Sequence, residues 1–484
     1  MGRRTGEDRV TYDLVVLGGG TAGLVAALGA AAVGARACLV EQARIGGDCL
    51  WTGCVPSKSL IAAADAAQRA RDATRFGVDT GEPRVDFARV MAHVRGAIAA
   101  IEPHDSAERL ARDGVTVVHG HGRFVDDRTI RVATDSGDRD IRFHRALIAT
   151  GSEPTLPPVE GLAELAPLTT DTVWDLEQLP RRLVLIGGGP IGCELGQAFA
   201  RLGSRVTLLE AAPRLLPRDH PDAAAILHAR LVANGVEVRV GAKITHAARR
   251  DALVIDVDGE TLQADALLVA AGRRPRTDDL ALERVSVELT DRGHVVVDSR
   301  LRTTTARIYA AGDVTGAPAF THVAGYHGGV VVQNALLGLR RSVSYEAVPA
   351  VTYTDPEVAQ VGLLEADARE RHGTGIRIAR FEHSALDRAI TEAETVGFTE
   401  LIANRKGYLV GATVVGAAAG EVIAELAAAI RAGKHLRDLA GAVHAYPTRS
   451  EAVQRAALED LRRSLVRLRR PASWIITARR HFGK

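Results

Sequence analysis

The sequence predicts an α/β protein built around two Rossmann-like units. Two observations carry this prediction. An apolar strand and a G-x-G-x-x-G turn occur at residues 13–23 and again at 183–192, and each copy continues into a helix. Each then leads to an apolar strand that ends in a glutamate, 18 positions after the last glycine. One such motif is a weak signal, whereas two copies in register strongly favour two dinucleotide sites.

The first unit supplies its turn from Gly18, Gly20 and Gly23. In this motif the first glycine permits the tight turn, and the second lets a pyrophosphate approach the helix N-terminus. The third allows the helix to pack closely on the strand. Glu41 ends the next strand, where a carboxylate accepts hydrogen bonds from ribose hydroxyls. We therefore expect one dinucleotide at this unit.

A pair of cysteines, Cys49 and Cys54, follows directly after the first unit. In a regular helix their Cα atoms would be about 8–9 Å apart, whereas a disulfide needs them within roughly 7 Å. The segment must therefore be tightened locally, and Gly53 allows this. Pro56 suits a helix first turn, so Cys54 is expected at or just before the positive end of a helix dipole, where a thiolate is stabilised. A redox-active dithiol is favoured over an inert structural pair.

The second unit repeats the turn and ends its second strand at Glu210. Its glycines are Gly187, Gly189 and Gly192. Because the thiols follow the first unit, we assign FAD to that unit and NAD(H) to the second. The carboxylate of Glu210 disfavours the extra 2′-phosphate of NADP(H). The nearby Arg214 and Arg218 leave NADP(H) open as the alternative.

Beyond the second unit the chain returns to an apolar strand, predicted over 307–314, which closes on Asp313. Open α/β sheets bind ligands at the carboxyl ends of their strands. Asp313 is therefore a candidate ligand for the ribityl chain of the flavin. The second nucleotide unit is then an insertion in the first.

Composition limits the remaining possibilities. The 484 residues are 46% hydrophobic and 25% charged, which is typical of a multidomain globular protein. A net charge of +2 predicts no general attraction to nucleic acid. Four cysteines in a chain of this length fit a reducing compartment. The first ten residues lack the apolar core of a signal peptide, so we expect a cytoplasmic protein. No metal site is predicted.

Four stretches together resemble the class I pyridine nucleotide-disulfide oxidoreductases, a family that includes dihydrolipoamide dehydrogenase, glutathione reductase and mercuric reductase. They are GDCLWTGCVPSK at 47–58, the two nucleotide motifs, YAAGD at 309–313 and YTDPEVAQVG at 353–362. The resemblance implies two Rossmann-like dinucleotide-binding domains, with the NAD domain inserted in the FAD domain, plus an α+β C-terminal dimerisation domain. It also implies a homodimer whose active site is completed across the interface.

The implied layout has five segments. They are 1–160 and 281–348 for the two parts of the FAD domain, 161–280 for the NAD(P) domain, 349–460 for the dimerisation domain, and 461–484 for a basic C-terminal tail. By the same resemblance Cys54 is the thiol next to the flavin and Cys49 the interchange thiol that meets the acceptor. Lys58 and Glu194 match residues that the family pairs near flavin N5, although both positions also have ordinary structural explanations.

The sequence departs from the disulfide-reducing members near its C-terminus. Those members carry a histidine directly before Pro-Thr, followed by a glutamate, and the histidine acts as acid and base for the interchange thiol. Here Tyr446 takes that place and Glu451 follows. A phenol, whose ordinary pKa is about 10, does not shuttle protons at neutral pH as imidazole does. His444 is a possible substitute, but two residues of extended chain displace it by about 6–7 Å.

Mercuric reductase has a tyrosine at the matching position, because its thiols hand on a soft metal ion, which thiolates prefer. The leading hypothesis is therefore electron transfer from NAD(P)H through FAD to Cys49–Cys54 and on to a thiol-reactive or metal acceptor such as Hg(II). Typical mercuric reductases also carry a C-terminal vicinal cysteine pair, which this sequence lacks. The alternatives are a dihydrolipoyl dehydrogenase or other small-disulfide reductase, a quinone reductase, and a subunit docked in a larger dehydrogenase complex.

The tail, residues 461–484, mixes arginines with aliphatic residues and contains no acidic residue. A solvated helix end packed on the dimer is one interpretation. The other is weak contact with an anionic membrane surface, which would bring the flavin near quinones.

Overall fold

The computed structural model describes residues 10–467 and 469–482. Two compact units emerge. The first contains the chain up to Gly187 together with Ala198–Ala211 and Ala242–Val343; the second contains Gly188–Gln197, Ala212–Gly241 and the chain from Ser344 onward. The five predicted segment boundaries stay predictions.

The front of the chain forms seven strands and five helices. They are β1 (Thr11–Leu17), α1 (Thr21–Ala32), β2 (Ala37–Glu41), α2 (Gly47–Trp51), α3 (Cys54–Asp72), α4 (Phe87–Ile101), α5 (Ala107–Arg112), β3 (Val115–His119), β4 (His121–Asp126), β5 (Thr129–Thr134), β6 (Gly137–Ile148) and β7 (Ser152–Pro154). The sheet order is β3-β2-β1-β6-β5-β4, with β1 parallel to both of its neighbours. Alternate residues of β1 enter two separate cores, which explains its unbroken apolar run.

The next stretch forms the second nucleotide motif and a small antiparallel sheet. Its elements are β8 (Arg182–Ile186), α6 (Pro190–Leu202), β9 (Arg205–Glu210), α7 (Pro221–Ala233), β10 (Glu237–Val240), β11 (Ile244–Arg249), β12 (Leu253–Val257), β13 (Glu260–Ala264), β14 (Ala266–Val269) and β15 (Arg273–Pro275). Strand β8 lies parallel between β9 and β14, as β1 lies between its own neighbours. Strand β15 returns to pair with β7.

Strand β16 (Ile308–Ala310) then rejoins the first sheet, and α8 (Thr321–Ala335) shares a hydrophobic core with α1. Strand β16 pairs parallel with β6, so the sheet that begins with β1 regains a strand after about 160 intervening residues. The strand predicted over 307–314 is shorter than expected. It ends at Ala310 because Gly312 takes a left-handed φ of 78°, and Asp313 opens a short 3-10 helix at the carboxyl end of the strand.

The last stretch forms an antiparallel sheet covered by helices. Its elements are β17 (Pro349–Thr352), β18 (Glu357–Gly362), α9 (Glu365–His372), β19 (Arg377–Glu382), α10 (Asp387–Thr391), β20 (Phe398–Ala403), β21 (Leu409–Gly416), α11 (Ala419–Arg431), α12 (Leu436–Gly441), α13 (Glu451–Arg467) and α14 (Arg469–Phe482). The sheet order is β17-β18-β21-β20-β19. Side chains of α11 and α13 share one core with this sheet. Within the described ranges, no helix is both long and apolar enough to cross a membrane.

Candidate active site

Both nucleotide turns make the same close approach to the strand beside them. Gly18 has a φ of 107°, and a Cβ there would lie 2.3 Å from the carbonyl oxygen of Ala149. Gly187 has a φ of 116°, and a Cβ there would lie 2.5 Å from the carbonyl oxygen of Ala270. A side chain at either position therefore has neither the space nor the backbone conformation that it needs. The two sequence motifs therefore share the same backbone conformation and the same close contact at their first glycine.

The first turn forms a cradle for an anion. Gly20 is the N-cap of α1, and no side chain caps that helix or adds an acidic group to its first turn. The N-terminus of α1 therefore has the features of a helix start that binds a phosphate through its first N–H groups. Glu41 closes the turn, since its carboxylate accepts the backbone N–H groups of Gly19 at 2.6 Å and Ala43 at 2.7 Å. These features fit the pyrophosphate and ribose of a dinucleotide such as FAD.

The redox segment packs directly on this cradle. Gly47 has a φ of 59°, and a Cβ there would lie 2.7 Å from the Cα of Gly20. Cys49 lies two residues later in α2, and α3 begins at Cys54. Gly53 joins the two helices, and a Cβ there would lie 2.9 Å from the carbonyl oxygen of Asp48. The chain between the two cysteines thus leaves one helix and enters the next at a glycine that has no room for a side chain.

Cys49 and Cys54 are both reduced in this structure, and their side chains hydrogen-bond to each other. The hydroxyl of Thr321, at the start of α8, lies 3.3 Å from the Sγ of Cys54. The pKa of Cys49 is raised, first by its hydrogen bond to Cys54, then by burial, and then by the charge of Cys54. Cys49 therefore holds its proton more tightly than an ordinary thiol, and Cys54 is the first residue of α3, where a helix dipole favours a thiolate.

Side chains from distant segments fix the ends of this dithiol segment. Asp48 forms an ion pair with Arg273, and Arg276 lies 3.4 Å from its other oxygen. Between the two cysteines, the carbonyl oxygen of Thr52 accepts the indole N–H of Trp174 at 2.8 Å. The segment is therefore held by residues from both sides of the second nucleotide motif.

The same network reaches the predicted ribityl ligand. Arg273 donates to the hydroxyl of Ser152 at 2.7 Å, and this hydroxyl donates to Asp313 at 2.7 Å. Asp313, Ser152 and Arg273 thus form one chain of hydrogen bonds that ends at Asp48. This chain places the candidate flavin ligand and the dithiol segment in one rigid polar network.

Lys58 and Glu194 lie on different helices. Lys58 is half-buried on α3, and Glu194 is 5% exposed on α6. The carboxylate of Glu194 accepts the backbone N–H of Tyr353 at 2.8 Å. The pairing of Lys58 with Glu194 stays a prediction.

Two residues of the second nucleotide motif lie at the ends of its elements, and their part in binding a dinucleotide stays a prediction. Glu210 is the last residue of β9, and Gly189 directly precedes α6. A Cβ at Gly189 would have open space around it. The guanidinium of Arg214 donates to the carbonyl oxygens of Leu216 and Pro217, at 3.0 and 2.7 Å. Arg214 is thus engaged by its own loop.

The C-terminal candidates have partners that the sequence did not suggest. The Tyr446 hydroxyl donates to Asp387 at 2.8 Å, and this bond raises the pKa of the phenol above its usual range. The Nε2 of His444 lies 3.1 Å from both carboxylate oxygens of Glu425, and its Nδ1 lies 3.3 Å from the carbonyl oxygen of Ala442. Tyr446 is exposed, whereas the His444 side chain is only 8% exposed.

Glu451 opens α13 and is 6% exposed. One of its oxygens accepts the Nε–H of Arg455 at 2.8 Å. The other, Oε2, is buried and has no hydrogen-bond partner among the described residues.

Comparison with known proteins decides the family. Residues 12–328 match the pyridine nucleotide-disulphide oxidoreductase family, and residues 348–457 match the dimerisation domain of that family. The chain belongs to this family. It is therefore a flavoprotein disulfide oxidoreductase that uses FAD and a pyridine nucleotide, and its dimerisation domain supports a homodimer.

Individual relatives carry two different activities. The oxidoreductase is 40% identical to the mercuric reductase of Streptomyces lividans, over 92% of this chain and 95% of that protein. It is 37% identical to the dihydrolipoyl dehydrogenase of Geobacillus stearothermophilus, over 93% of this chain and 97% of that protein.

Solved structures agree on the fold. The HOCl-induced flavoprotein disulfide reductase RclA of Escherichia coli, in a Cu(II) complex, matches with a TM-score of 0.83 at 28% identity, over 93% of this chain and 99% of that one. LpdA of Mycobacterium tuberculosis matches with a TM-score of 0.85 at 28% identity, also over 93% and 99%. The predicted family and the α/β fold class are confirmed, and the acceptor is left to be inferred.

Sequence reasoning missed several residues of this oxidoreductase that belong to the dithiol segment, hydrogen-bond to it, or hydrogen-bond to a predicted residue. They are Asp48, Thr321, Asp387, Glu425, Trp174, Arg273 and Arg276. Only Asp48 carried a local signal, because it directly precedes Cys49. Each of the other residues is distant in the sequence from the residue that it contacts, so no local sequence motif predicts the contact.

Proposed function

We propose that this oxidoreductase passes electrons from NAD(P)H to the Cys49–Cys54 pair, and from Cys49 to a thiol-reactive or soft metal acceptor such as Hg(II). FAD, when bound, supplies the two-electron chemistry that links the nicotinamide to the disulfide. The single observation that carries the choice of acceptor is the hydrogen bond between Tyr446 and Asp387.

A disulfide acceptor needs a proton donor and acceptor near the interchange thiol. Cys49 attacks one sulfur of the substrate, the substrate S–S bond breaks, and the leaving thiolate takes up a proton. Because Asp387 raises the pKa of the Tyr446 phenol, that phenol stays protonated at neutral pH and cannot act as the base. The ring nitrogens of His444 already face Glu425 and the backbone. Neither side chain is set up to exchange protons with a thiol.

A soft metal ion removes this requirement. Thiolates bind such an ion directly, and it takes up electrons without receiving a proton. Cys54 supplies the first thiolate, since the remaining proton of the pair is held on Cys49. The 40% identity to a mercuric reductase supports the same acceptor.

For the reductant, the proposal favours NADH over NADPH. Glu210 ends β9, where its carboxylate would repel a 2′-phosphate. Arg214, the nearby candidate for binding that phosphate, already donates to two carbonyl oxygens of its own loop.

A dihydrolipoyl dehydrogenase is the second candidate, because the Geobacillus enzyme of that name is matched over 97% of its length. The deciding experiment measures kcat/KM of the FAD-loaded protein for Hg(II), lipoamide, glutathione disulfide and a quinone, with NADH and with NADPH. We expect Hg(II) to be the best acceptor and NADH the better donor. Tyr446→His should raise lipoamide turnover by about tenfold or more, because it restores a general acid and base.

Matched variants and the ranking of acceptors distinguish reduction of Hg(II) from the dihydrolipoyl dehydrogenase and quinone reductase activities. Cys49→Ser should abolish Hg(II) reduction, whereas Cys38→Ala, a change at a buried cysteine outside the pair, should leave it intact. The proposal would be overturned in favour of a dihydrolipoyl dehydrogenase if lipoamide were the best acceptor of the wild type and Tyr446→His gave no increase in lipoamide turnover. Quinone turnover that exceeds Hg(II) turnover and survives Cys49→Ser would make the protein a quinone reductase instead.

A further inference from the structure

Helix α14 exposes a cluster of large apolar side chains. Trp474 is 83% exposed, Ile475 61% and Ile476 51%. The match to the dimerisation domain ends at residue 457, before this helix begins. Three adjacent apolar residues left this accessible are unusual on a surface helix, and they indicate a binding surface.

The charge of the same segment is equally uneven. Residues 461–484 contain seven arginines, one lysine and no aspartate or glutamate. The whole chain has 61 basic and 59 acidic side chains, which leaves 53 basic against 59 acidic ones in residues 1–460. The segment therefore carries +8 and the rest of the chain −6. Arg479, Arg480 and His481 are all exposed beside the apolar cluster.

The helix before this cluster is anchored to the protein. On α13, the guanidinium of Arg463 donates to the carbonyl oxygen of Ile378 in β19 at 2.9 Å. Helix α14 begins two residues after α13 ends. A ligand of α14 is therefore held close to the surface of the enzyme.

We propose that α14 binds the surface of a bilayer that contains anionic lipids. Trp474, Ile475 and Ile476 would enter the boundary between headgroups and acyl chains, where tryptophan is favoured. Arg479 and Arg480 follow Ile475 and Ile476, respectively, by four positions and so lie on the same side of the helix. Their long side chains would extend back to pair with lipid phosphates. Its 14 residues span about 21 Å at 1.5 Å each, less than the roughly 30 Å of a bilayer core, so the helix lies on the membrane and does not cross it.

Two other occupants fit less well. A second copy that met α14 through its own α14 would bring two segments of charge +8 together, and they would repel each other. A second copy that offered its acidic remainder, of charge −6, is distinguished by the measurement of assembly size below. A nucleic acid would satisfy the arginines but would leave the aliphatic side chains of Ile475 and Ile476 without a partner. The proposal concerns this helix alone and is independent of the electron acceptor.

The test is co-sedimentation of the full-length, FAD-loaded protein with vesicles. One set contains phosphatidylcholine alone, and the other contains phosphatidylcholine mixed with phosphatidylglycerol. We expect at least about tenfold tighter binding to the anionic vesicles, lost at high salt, because each basic residue near the surface contributes. Arg479→Glu/Arg480→Glu should abolish this preference, and Trp474→Ala should weaken binding.

Matched changes elsewhere control for general surface effects. Phe76 is 55% exposed and Arg437 has a side chain that is 74% exposed, so Phe76→Ala and Arg437→Glu should bind like the wild type. All variants should keep NADH oxidation with a soluble acceptor, which shows that they fold.

Several results would overturn the proposal. They are equal binding to both vesicle types, absence of binding, and binding that persists in the charge-reversed variant. An assembly larger than a dimer that Trp474→Ala disperses would assign the surface to a second copy. Release from vesicles by duplex DNA, with tighter binding to that DNA, would assign it to a nucleic acid.

Discussion

Asp48, the residue before Cys49, is held by the guanidinium of Arg273, 225 positions later in the chain. Both side chains are partly shielded, with 35% of Asp48 and 23% of Arg273 exposed. Arg273 opens β15, the strand that brings the chain back beside β7 after the second nucleotide motif. The position of the dithiol thus depends on a segment that is remote in sequence.

Removal of this carboxylate should loosen the dithiol segment. In Asp48→Ala, Arg273 and Arg276 lose their shared acceptor, and we expect a loss of about 1–3 kcal/mol in the free energy of unfolding. Alkylation of Cys49 should become faster, because the segment opens more often. Denaturant unfolding and mass-spectrometric alkylation rates measure the two effects.

A neighbouring arginine offers the matched control. Arg274 lies in the same strand but is 55% exposed, where it pairs with Glu153 and Asp278. Exposed ion pairs contribute about 0–1 kcal/mol, so Arg274→Ala should leave the alkylation rate of Cys49 unchanged. If both variants behaved alike, Asp48 would have no special part in holding the segment.

Gly47→Ala should impair FAD binding. The new Cβ would lie 2.7 Å from the Cα of Gly20, in the turn predicted to bind the pyrophosphate. Gly34→Ala is the matched control, because Gly34 also has a positive φ, of 83°, but a Cβ there meets no atom within 4 Å. We expect Gly34→Ala to retain FAD at a stability cost of about 1 kcal/mol. Gly47→Ala should lose most of its FAD, measured by the flavin-to-protein absorbance ratio.

The sequence predicts those parts of the site whose chemistry is local. Gly18 and Glu41 follow from one turn and one strand end, and the tight cysteine spacing follows from chain geometry. The partners of Asp48 and Tyr446 could not be predicted in this way, because Arg273 and Asp387 come close only after separate segments have packed. The strand before Asp313 was predicted too long because the left-handed conformation of Gly312 is not evident from its apolar neighbours.

The alkylation rate of Cys49 should depend on Cys54. The pKa of Cys49 is raised first by its hydrogen bond to Cys54, then by burial, and then by the charge of Cys54. In Cys54→Ala the two causes that involve Cys54 disappear, so the pKa of Cys49 should fall and its alkylation should begin at lower pH. The folded protein is alkylated between pH 6 and 10, and the rate at Cys49 is then measured by mass spectrometry on the peptide that carries it. Buried Cys193 is the internal control. An unshifted profile would show that the two sulfurs are not coupled.

A buried histidine beside the candidate flavin ligand should weaken the fold in acid. His327 is fully buried on α8, and its Nδ1 accepts the backbone N–H of Gly312 at 3.1 Å. Burial lowers its pKa from 6.5 to about 4. Between these values the unfolded chain binds a proton that the folded chain does not, so stability should fall as the pH drops from about 6.5 to 4.

His327→Asn keeps an acceptor for Gly312 but removes the titrating group. We expect the loss of stability between neutral pH and pH 4 to be smaller in this variant than in the wild type, as measured by urea unfolding at several pH values. His104→Asn changes an exposed histidine and should reproduce the wild-type pH dependence. If His327→Asn lost as much stability as the wild type over this range, its burial would not be the cause.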